Sequence, residues 1–233
     1  MRKFTLIELL VVIVIIAILI SLLMPTLSKA KHKAKVLACT SNTAQITKAA
    51  FGYLKDNSFN FPGRYINGGR ASQTYPMYGY TGKKGLQTNY QFDAEYRMTN
   101  NYLGSFSGDA EVPVAHCPMD QAPLSSSYLG DSTYDSMGSS YSGNARGISS
   151  WPDLASSYTN GVNLNSITTS ASMMVMITET NGWHFARGYS GSWTVSWHGK
   201  DQFGTGFLDG HAANTEYVRG NYNSSDYAFD RNQ

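Results

Sequence analysis

Cysteine is scarce in this chain of 233 residues, which contains only Cys39 and Cys117. Two cysteines are too few for a disulfide-stapled scaffold or a zinc knuckle. In an oxidising compartment the two could form one bridge, and the alternative is a pair of buried free thiols. The sequence leaves both possibilities open.

Charge is also scarce, and the two signs nearly cancel. Lysine and arginine number 18 against 16 acidic residues, which gives a formal net charge of +2. Nucleic-acid binding requires a basic surface, and an excess this small argues against it. We therefore expect no nucleic-acid partner.

Glycine and proline are nearly missing from residues 1–56, where Gly52 and Pro25 are the only examples. That part is rich in Leu, Ile, Val, Ala and Lys. After about residue 57, Gly, Ser, Asn, Tyr and Trp dominate, and this composition predicts short strands and loops outside the cytoplasm. The chain length fits one globular head, residues 58–233, preceded by a helical segment.

An apolar run extends from Phe4 to Met24, and only Thr5, Glu8 and Ser21 interrupt it. About 20 such residues are enough to cross a bilayer as a helix. A core helix of a soluble protein would have a polar face, which this run lacks. A cleaved signal peptide would have a shorter apolar region, of roughly 7–15 residues, without a glutamate. We therefore predict a retained membrane helix rather than either alternative.

The charges beside this run do not decide its orientation. Arg2 and Lys3 favour a cytoplasmic amino terminus. Four lysines follow the run and count the other way: Lys29, Lys31, Lys33 and Lys35. The exported composition of residues 58–233 favours an orientation with the head outside the cytoplasm.

The helical pattern resumes after Pro25 and continues to about Lys55. Apolar and small residues recur every three or four positions on one face, which we expect to pack on the head: Val36, Cys39, Thr43, Ile46, Ala50 and Tyr53. Residues 4–57 should thus form one long helix, which the stretch KDNSFNFPG ends. Pro25 should kink this helix, because proline lacks an amide donor and clashes with the preceding turn.

The stretch FTLIELLVVI, Phe4 to Ile13, resembles the amino terminus of type IV pilins and of type II secretion pseudopilins, including the major pseudopilin. In that family a short basic leader is removed just before a phenylalanine and the new terminus is methylated. A glutamate stands four residues on, and a long apolar helix follows. Phe4, Glu8 and Pro25 occupy the matching positions. Lys3 stands at the cleavage point, where the family usually has glycine.

The resemblance implies a leader of residues 1–3, cleavage by a prepilin peptidase, and polymerisation with other pilin or pseudopilin subunits on an inner-membrane assembly platform. A lone carboxylate in lipid is costly. The amine freed at Phe4 could pair with Glu8 of a neighbouring subunit, which would neutralise both charges and fix the register. The other interpretation is that Glu8 snorkels to the headgroups or takes up a proton. The implied location is the bacterial inner membrane, with a single span and an external head, and then a periplasmic or surface filament.

Three shorter stretches resemble parts of bacterial pilin-like proteins: CTSNTAQITKAAFGYLKDNSFNFPG, HCPMD and WHGKDQFGTGFLDGHA. The last resembles a carboxy-terminal signature in which a histidine is followed about nine residues later by Asp-Gly. Here ten residues separate His198 from Asp209. A metal or acid–base cluster could be built from His198, Asp209 and His211. Asp209-Gly210, however, is typical of a two-residue type I′ hairpin turn, and we predict the hairpin.

The head contains few other candidates for chemistry. His116 precedes Cys117, but no orienting acid is evident, so we expect no thiol nucleophile. Asp131, Asp135 and Asn144 lie in a Gly/Ser-rich loop and could hold calcium, a hard cation that takes oxygen ligands. Major pseudopilins hold calcium in their heads, but no spacing here matches a defined calcium loop. We expect solvated loop carboxylates and no certain cofactor.

Together these patterns predict an α+β fold, in which the long amino-terminal helix packs its second half against a small antiparallel sheet built from about residue 110 onward. Residues 58–110 should be mostly irregular, and MMVMIT, residues 173–178, is typical of a buried strand. The expected function is structural and not enzymatic, that of a pilus or pseudopilus subunit. The alternatives are a membrane-anchored protein that binds an extracellular ligand without polymerising, and a secreted enzyme whose mature chain begins near residue 30.

Overall fold

The longest element is helix α1, Leu6–Asp56, which has 51 residues. A computed structural model describes residues 5–61, 80–87, 90–91, 93–121, 129–144, 162–191 and 195–231 of the chain. Lys3 and Phe4, the predicted processing site, lie outside the described residues. The long helix predicted from residue 4 to residue 57 is confirmed over the part that is described.

Both ends of α1 have identifiable signals. Thr5 and Glu8 form a capping box, in which the Thr5 amide donates to Glu8 Oε2 at 2.8 Å and the Glu8 amide donates to Thr5 Oγ1 at 3.3 Å. At the other end the Asn57 amide donates to the carbonyls of Tyr53 and Leu54. The helix continues through Pro25. The kink at that residue stays a prediction.

The first half of α1 lies outside the core. Residues 5–35 are all exposed, and the large apolar side chains from Leu6 to Leu27 keep between 47% and 83% of their surface accessible. This helix is long and apolar enough to cross a membrane. The alternative of a buried core helix is therefore wrong, because no described part of the head covers the apolar run.

The second half of α1 packs on the head. Its buried residues begin at Cys39 and recur along one face: Cys39, Thr43, Ile46, Thr47, Ala49, Ala50 and Leu54. The predicted stripe is confirmed at four of these positions. Thr47, Ala49 and Leu54 are buried beside the predicted stripe, which makes the packed face wider than predicted, and the Thr47 hydroxyl donates to the Thr43 carbonyl at 2.8 Å.

A four-stranded antiparallel sheet forms the centre of the head, in the order β1-β2-β3-β4. The strands are β1 (Tyr141–Gly143), β2 (Val175–Glu179), β3 (Gln202–Phe207) and β4 (Ala212–Glu216). The strand predicted at 173–178 corresponds to β2, all of whose residues are buried. The described part of the chain is thus α+β, as predicted.

Short helical segments complete the head. Two are α-helices, α2 (Thr133–Met137) and α3 (Thr180–Ala186). Four single 3₁₀ turns lie wholly within the described residues: Ala94–Tyr96, Asn100–Tyr102, Pro113–Ala115 and Leu164–Ser166. Among the described residues between 58 and 110, such turns and one isolated bridge between Asn60 and Asn163 occur, and the prediction that this part is mostly irregular is confirmed for them.

The two faces of the sheet contribute to separate hydrophobic clusters. One contains α1 residues together with Met176 and Ile177 of β2. The other is mostly aromatic and contains Val175 of β2 with side chains from α3, β3 and the carboxy-terminal segment: Trp183, Phe185, Phe203, Phe207, Tyr217, Tyr227 and Phe229. Side chains along a strand normally alternate between the two faces, and an irregularity in the pairing between Val175 and Ile177 places the consecutive residues Met176 and Ile177 in the same cluster.

Two glycines let α1 approach β3 closely. A Cβ on Gly206 would lie 2.0 Å from Thr47 Oγ1, and a Cβ on Gly204 would lie 3.2 Å from Thr43 Oγ1. Glycine in the interior of a strand weakens it, and a close approach of another backbone is a common reason for its presence. Here the missing side chains make room for the two threonines of the helix.

The predicted β3–β4 hairpin is present, but its turn differs from the predicted two-residue type I′ turn. Asp209 and Gly210 share the loop with Leu208, and the Gly210 amide donates to the Phe207 carbonyl at 3.0 Å. Of the loop residues only Gly210 has a positive φ, of 94°, whereas a type I′ turn requires two. The reason is Leu208, which is buried and whose amide donates to Met174.

Gly206→Ala should lower the free energy of unfolding by about 1–3 kcal/mol, because the added methyl group overpacks the contact between α1 and β3. Thermal unfolding of the full chain in detergent, followed by circular dichroism, measures the loss. Adding Thr47→Ala should restore part of it. Gly104→Ala is the control, because its Cβ would meet only the Phe106 ring, at 3.1 Å. Equal stabilities of the two alanine variants would contradict the close-packing account.

Candidate functional site

Four side chains that could each act as a metal ligand, acid, base or thiol converge under α1. They are Cys39, Cys117, Glu179 and His198, and their ligand atoms all lie within 4.8 Å of one another. Each residue is at most 3% exposed. Four separate parts of the chain supply them: α1, the segment after the turn Pro113–Ala115, the end of β2 and the segment before β3. We call these four residues the buried cluster.

Cys39 and Cys117 are joined by a disulfide, with Cα atoms 5.0 Å apart. This separation lies inside the usual range of roughly 4.4–6.8 Å. The bridge spans 78 positions of sequence and ties α1 to the segment that precedes α2. Of the two possibilities that the sequence left open, the structure has the bridge.

The His198 ring contacts three side chains, those of Glu179, Cys117 and Asn214. Its Nε2 lies 2.8 Å from Glu179 Oε1 and 3.4 Å from Cys117 Sγ. Its Nδ1 lies 2.9 Å from Asn214 Oδ1, and the Asn214 amide nitrogen donates to Gln202 Oε1 at 2.7 Å. Because Gln202 orients the Asn214 amide, Nδ1 carries a proton and donates it to Asn214. One further proton lies between Nε2 and Oε1, since otherwise two lone pairs would face each other at 2.8 Å.

Burial and pairing act on this histidine and glutamate together. Burial raises the pKa of the Glu179 carboxyl, and the contact with His198 offsets only part of that effect. Burial by itself would lower the pKa of His198, but the Glu179 carboxylate and Asn214 outweigh it, so that the pKa is raised. Both shifts favour retention of the shared proton in the folded chain.

Sequence reasoning singled out three members of the buried cluster but missed Glu179. Cys39 and Cys117 were noticed as a possible disulfide pair and His198 as part of the carboxy-terminal stretch, and nothing in the spacing links His198 to the cysteines. The one available signal for Glu179 is an acidic residue that directly follows the apolar run MMVMIT. Residues two positions apart on a strand point to the same face of the sheet. Glu179 therefore faces α1, as Ile177 does.

The candidate cluster of His198, Asp209 and His211 does not form. Asp209 Oδ1 lies 2.5 Å from His211 Nδ1 at the surface, and the His211 ring stacks on Phe207. His198 is engaged in the buried cluster. His116, the other histidine considered, stacks on Tyr134 with ring centroids 4.7 Å apart, and its neighbour Cys117 has no free thiol in this structure.

The residues considered for calcium have other contacts. Asp135 is paired with Lys83, at 2.9 Å, and accepts from Ser132 at 2.7 Å. The Asn144 amide nitrogen donates to two backbone carbonyls inside the core. Asp131 is exposed. Calcium binding by these residues stays a prediction.

No protein-family model, curated protein or solved structure matches this chain. Function is therefore inferred from the amino-terminal segment and from the geometry of the head.

Removing the bridge with Cys39→Ala and Cys117→Ala together should lower the free energy of unfolding by about 2–4 kcal/mol, because the unfolded chain gains conformational freedom. Urea unfolding of the full chain in detergent measures the difference. Alkylation of the native wild-type protein should label neither cysteine. Ready labelling of both, or equal urea midpoints, would show that the bridge is absent from the native protein.

The stability of the oxidised chain should fall as the pH rises above 6.5, the ordinary pKa of histidine. The raised pKa of His198 means that its contribution is fully present below that pH and is lost as the pH rises through the folded-state pKa. The slope is at most about 1.4 kcal/mol per pH unit for one proton. Glu179→Gln should flatten it, because the carboxylate that raises the pKa is removed. Urea unfolding at several pH values, with a chelator present, tests this, and an equal slope in the variant would refute it.

Proposed function

We propose that this chain is a structural subunit of a type IV pilus or type II secretion pseudopilus, not an enzyme. In this proposal a prepilin peptidase cuts between Lys3 and Phe4, and the mature subunits polymerise through α1. One observation carries the proposal: residues 6–24 of α1 are exposed and apolar on nearly all sides, and the charged group among them is a single carboxylate, Glu8.

An exposed apolar surface of this extent requires a cover. Because the apolar half of α1 has no polar face, the cover has to surround it, and only lipid or a bundle of similar helices does so. A filament subunit uses both in turn, since it is held in the bilayer before assembly and in the filament core afterwards. The second half of α1 stays with the head in both states, packed on the sheet and bridged at Cys39.

The contacts of Glu8 support a role between subunits. Within one chain Glu8 Oε2 accepts from the Thr5 amide at 2.8 Å and from Thr5 Oγ1 at 2.9 Å, and neither hydrogen bond uses Oε1. These neutral donors orient the carboxylate but leave its negative charge uncompensated in lipid. An amine at Phe4 of an adjacent subunit would compensate that charge. The assembled state would then be favoured over the isolated subunit, and the helices would be held in one register.

The remaining parts of the proposal concern location and partners. The disulfide supports a head outside the cytoplasm, because such bridges persist in oxidising compartments. The subunit would be held in the bacterial inner membrane by one span, and its partners would be the peptidase, other subunits and the assembly platform. In the alternative, an anchored ligand-binding protein that does not polymerise, Glu8 would serve only in the helix cap with Thr5.

Glu8→Leu and Glu8→Gln should both abolish filaments while the subunit stays in the membrane. Leucine removes a charge that costs about 2.5–3.5 kcal/mol in lipid, so insertion should not suffer. Glutamine keeps an oxygen that can accept from Thr5 but has no charge, and it therefore separates the ion pair from the capping box. Sheared surface filaments and membrane-held subunit are measured by immunoblot.

Thr5→Ala is the matched control. It removes a helix cap, typically about 1 kcal/mol, but leaves the Glu8 charge, so filaments should persist. Mass spectrometry of each variant should find a methylated Phe4 as the first residue. Wild-type filament yield from Glu8→Leu would exclude the assembly role. A mature terminus near Lys31 would point to a signal peptide, and an intact Met1 would mean that Lys3 blocks processing.

A further inference from the structure

We propose that the dithiol form of this chain binds one zinc ion in the buried cluster, through the sulfurs of Cys39 and Cys117, His198 Nε2 and a Glu179 oxygen. Zinc takes thiolate, imidazole and carboxylate ligands, and four of them in a tetrahedron form a closed structural site. The site is independent of filament assembly and would be present whether or not α1 polymerises.

The donor atoms are already close enough for one ion. All four lie within 4.8 Å of one another in the disulfide form. Zn–S distances of about 2.3 Å in a tetrahedron place two sulfurs about 3.8 Å apart. The sulfurs must therefore separate from their bonded distance, which rotation about the Cα–Cβ bonds of the two cysteines can supply. Nε2 of His198, at 3.4 Å from Cys117 Sγ, is near its required position.

The ring of His198 is oriented by hydrogen bonds in the same way as the rings of zinc-binding histidines. Such histidines donate their second ring N–H to an acceptor that fixes the tautomer and the ring orientation. Here Nδ1 donates to Asn214, and Gln202 in turn orients Asn214. This chain of contacts directs the Nε2 lone pair into the buried cluster.

Glu179 supplies an independent indication of a ligand. Its side chain is completely buried, Oε1 faces His198, the Gly204 backbone amide lies beside the carboxylate, and Oε2 has no hydrogen bond of normal geometry to a described residue. A buried carboxylate oxygen without a partner is costly, and a cation would satisfy it. Gly204 lies beside the carboxylate, where a Cβ would come within 3.2 Å of Oε1 and 3.4 Å of His198 Cε1. Because Gly204 has no side chain, the Glu179 carboxylate and the His198 ring can lie against its backbone.

The disulfide and the zinc ion exclude each other. Every newly synthesised chain contains the two thiols before any bridge forms. Zinc binding then releases one proton from each thiol and the proton shared by His198 and Glu179, with no change in oxidation state. Formation of the bridge uses both sulfurs, so the oxidised chain lacks two of the four ligands.

Metal titration of the full chain in detergent tests the proposal. The protein is reduced with a phosphine under nitrogen and titrated with Zn²⁺ against a chromophoric chelator. Co²⁺ serves as the spectroscopic probe. We expect one ion per reduced wild-type chain, with thiolate-to-cobalt charge-transfer bands, and none per oxidised chain. Less than one ion per reduced chain would overturn the proposal.

Matched variants identify the ligands. His198→Gln should weaken zinc binding at least about tenfold, and Asn214→Ala, which removes only the orienting acceptor, should weaken it by roughly 10–100-fold. His211→Gln is the control, because this exposed histidine lies outside the buried cluster. An unfolded chain that held zinc through its thiols alone would not distinguish His198 from His211. Equal affinities of these two variants would therefore overturn the site, whatever the fold of the reduced protein.

Discussion

The close contact between α1 and β3 is the constraint on which the rest of the head depends. Because Gly204 and Gly206 have no side chains, the helix can place Thr43 and Thr47 directly against the strand. That approach brings Cys39, one turn earlier on the same face, to the end of β2 and to Cys117. A larger residue on β3 would move the helix away and draw Cys39 away from Glu179 and His198.

The sequence predicts the structural features that depend on neighbouring residues better than those that depend on contacts between distant parts of the chain. The long helix and its buried face at Cys39, Ile46 and Ala50 follow from local periodicity, and the strand at 173–178 follows from local composition. The β3–β4 hairpin was expected from Asp209-Gly210, but not the form of its turn. There the burial of Leu208, a tertiary contact, overrode the local preference.

The buried cluster could be foreseen only in pieces. Cys39 and Cys117 were recognised as possible partners, but the choice between a bridge and free thiols depends on the distance between two segments 78 positions apart. Glu179 and Asn214 have no sequence motif, and only the antiparallel pairing of β2, β3 and β4 places them beside His198. The presence of only two cysteines argued against a zinc knuckle in the sequence. A count of cysteines does not register a histidine and a glutamate that strand pairing brings beside them.

The position of the bridge has a mechanical consequence. Cys39 is the first fully buried residue of α1, at the point where the helix leaves solvent or lipid and joins the core. Tension applied along the exposed half of the helix would reach this residue before any other part of the packed face. A covalent bond at that point would carry the load and protect the weaker contacts behind it from being peeled away one by one. A non-covalent joint of the same area would yield from its edge inward.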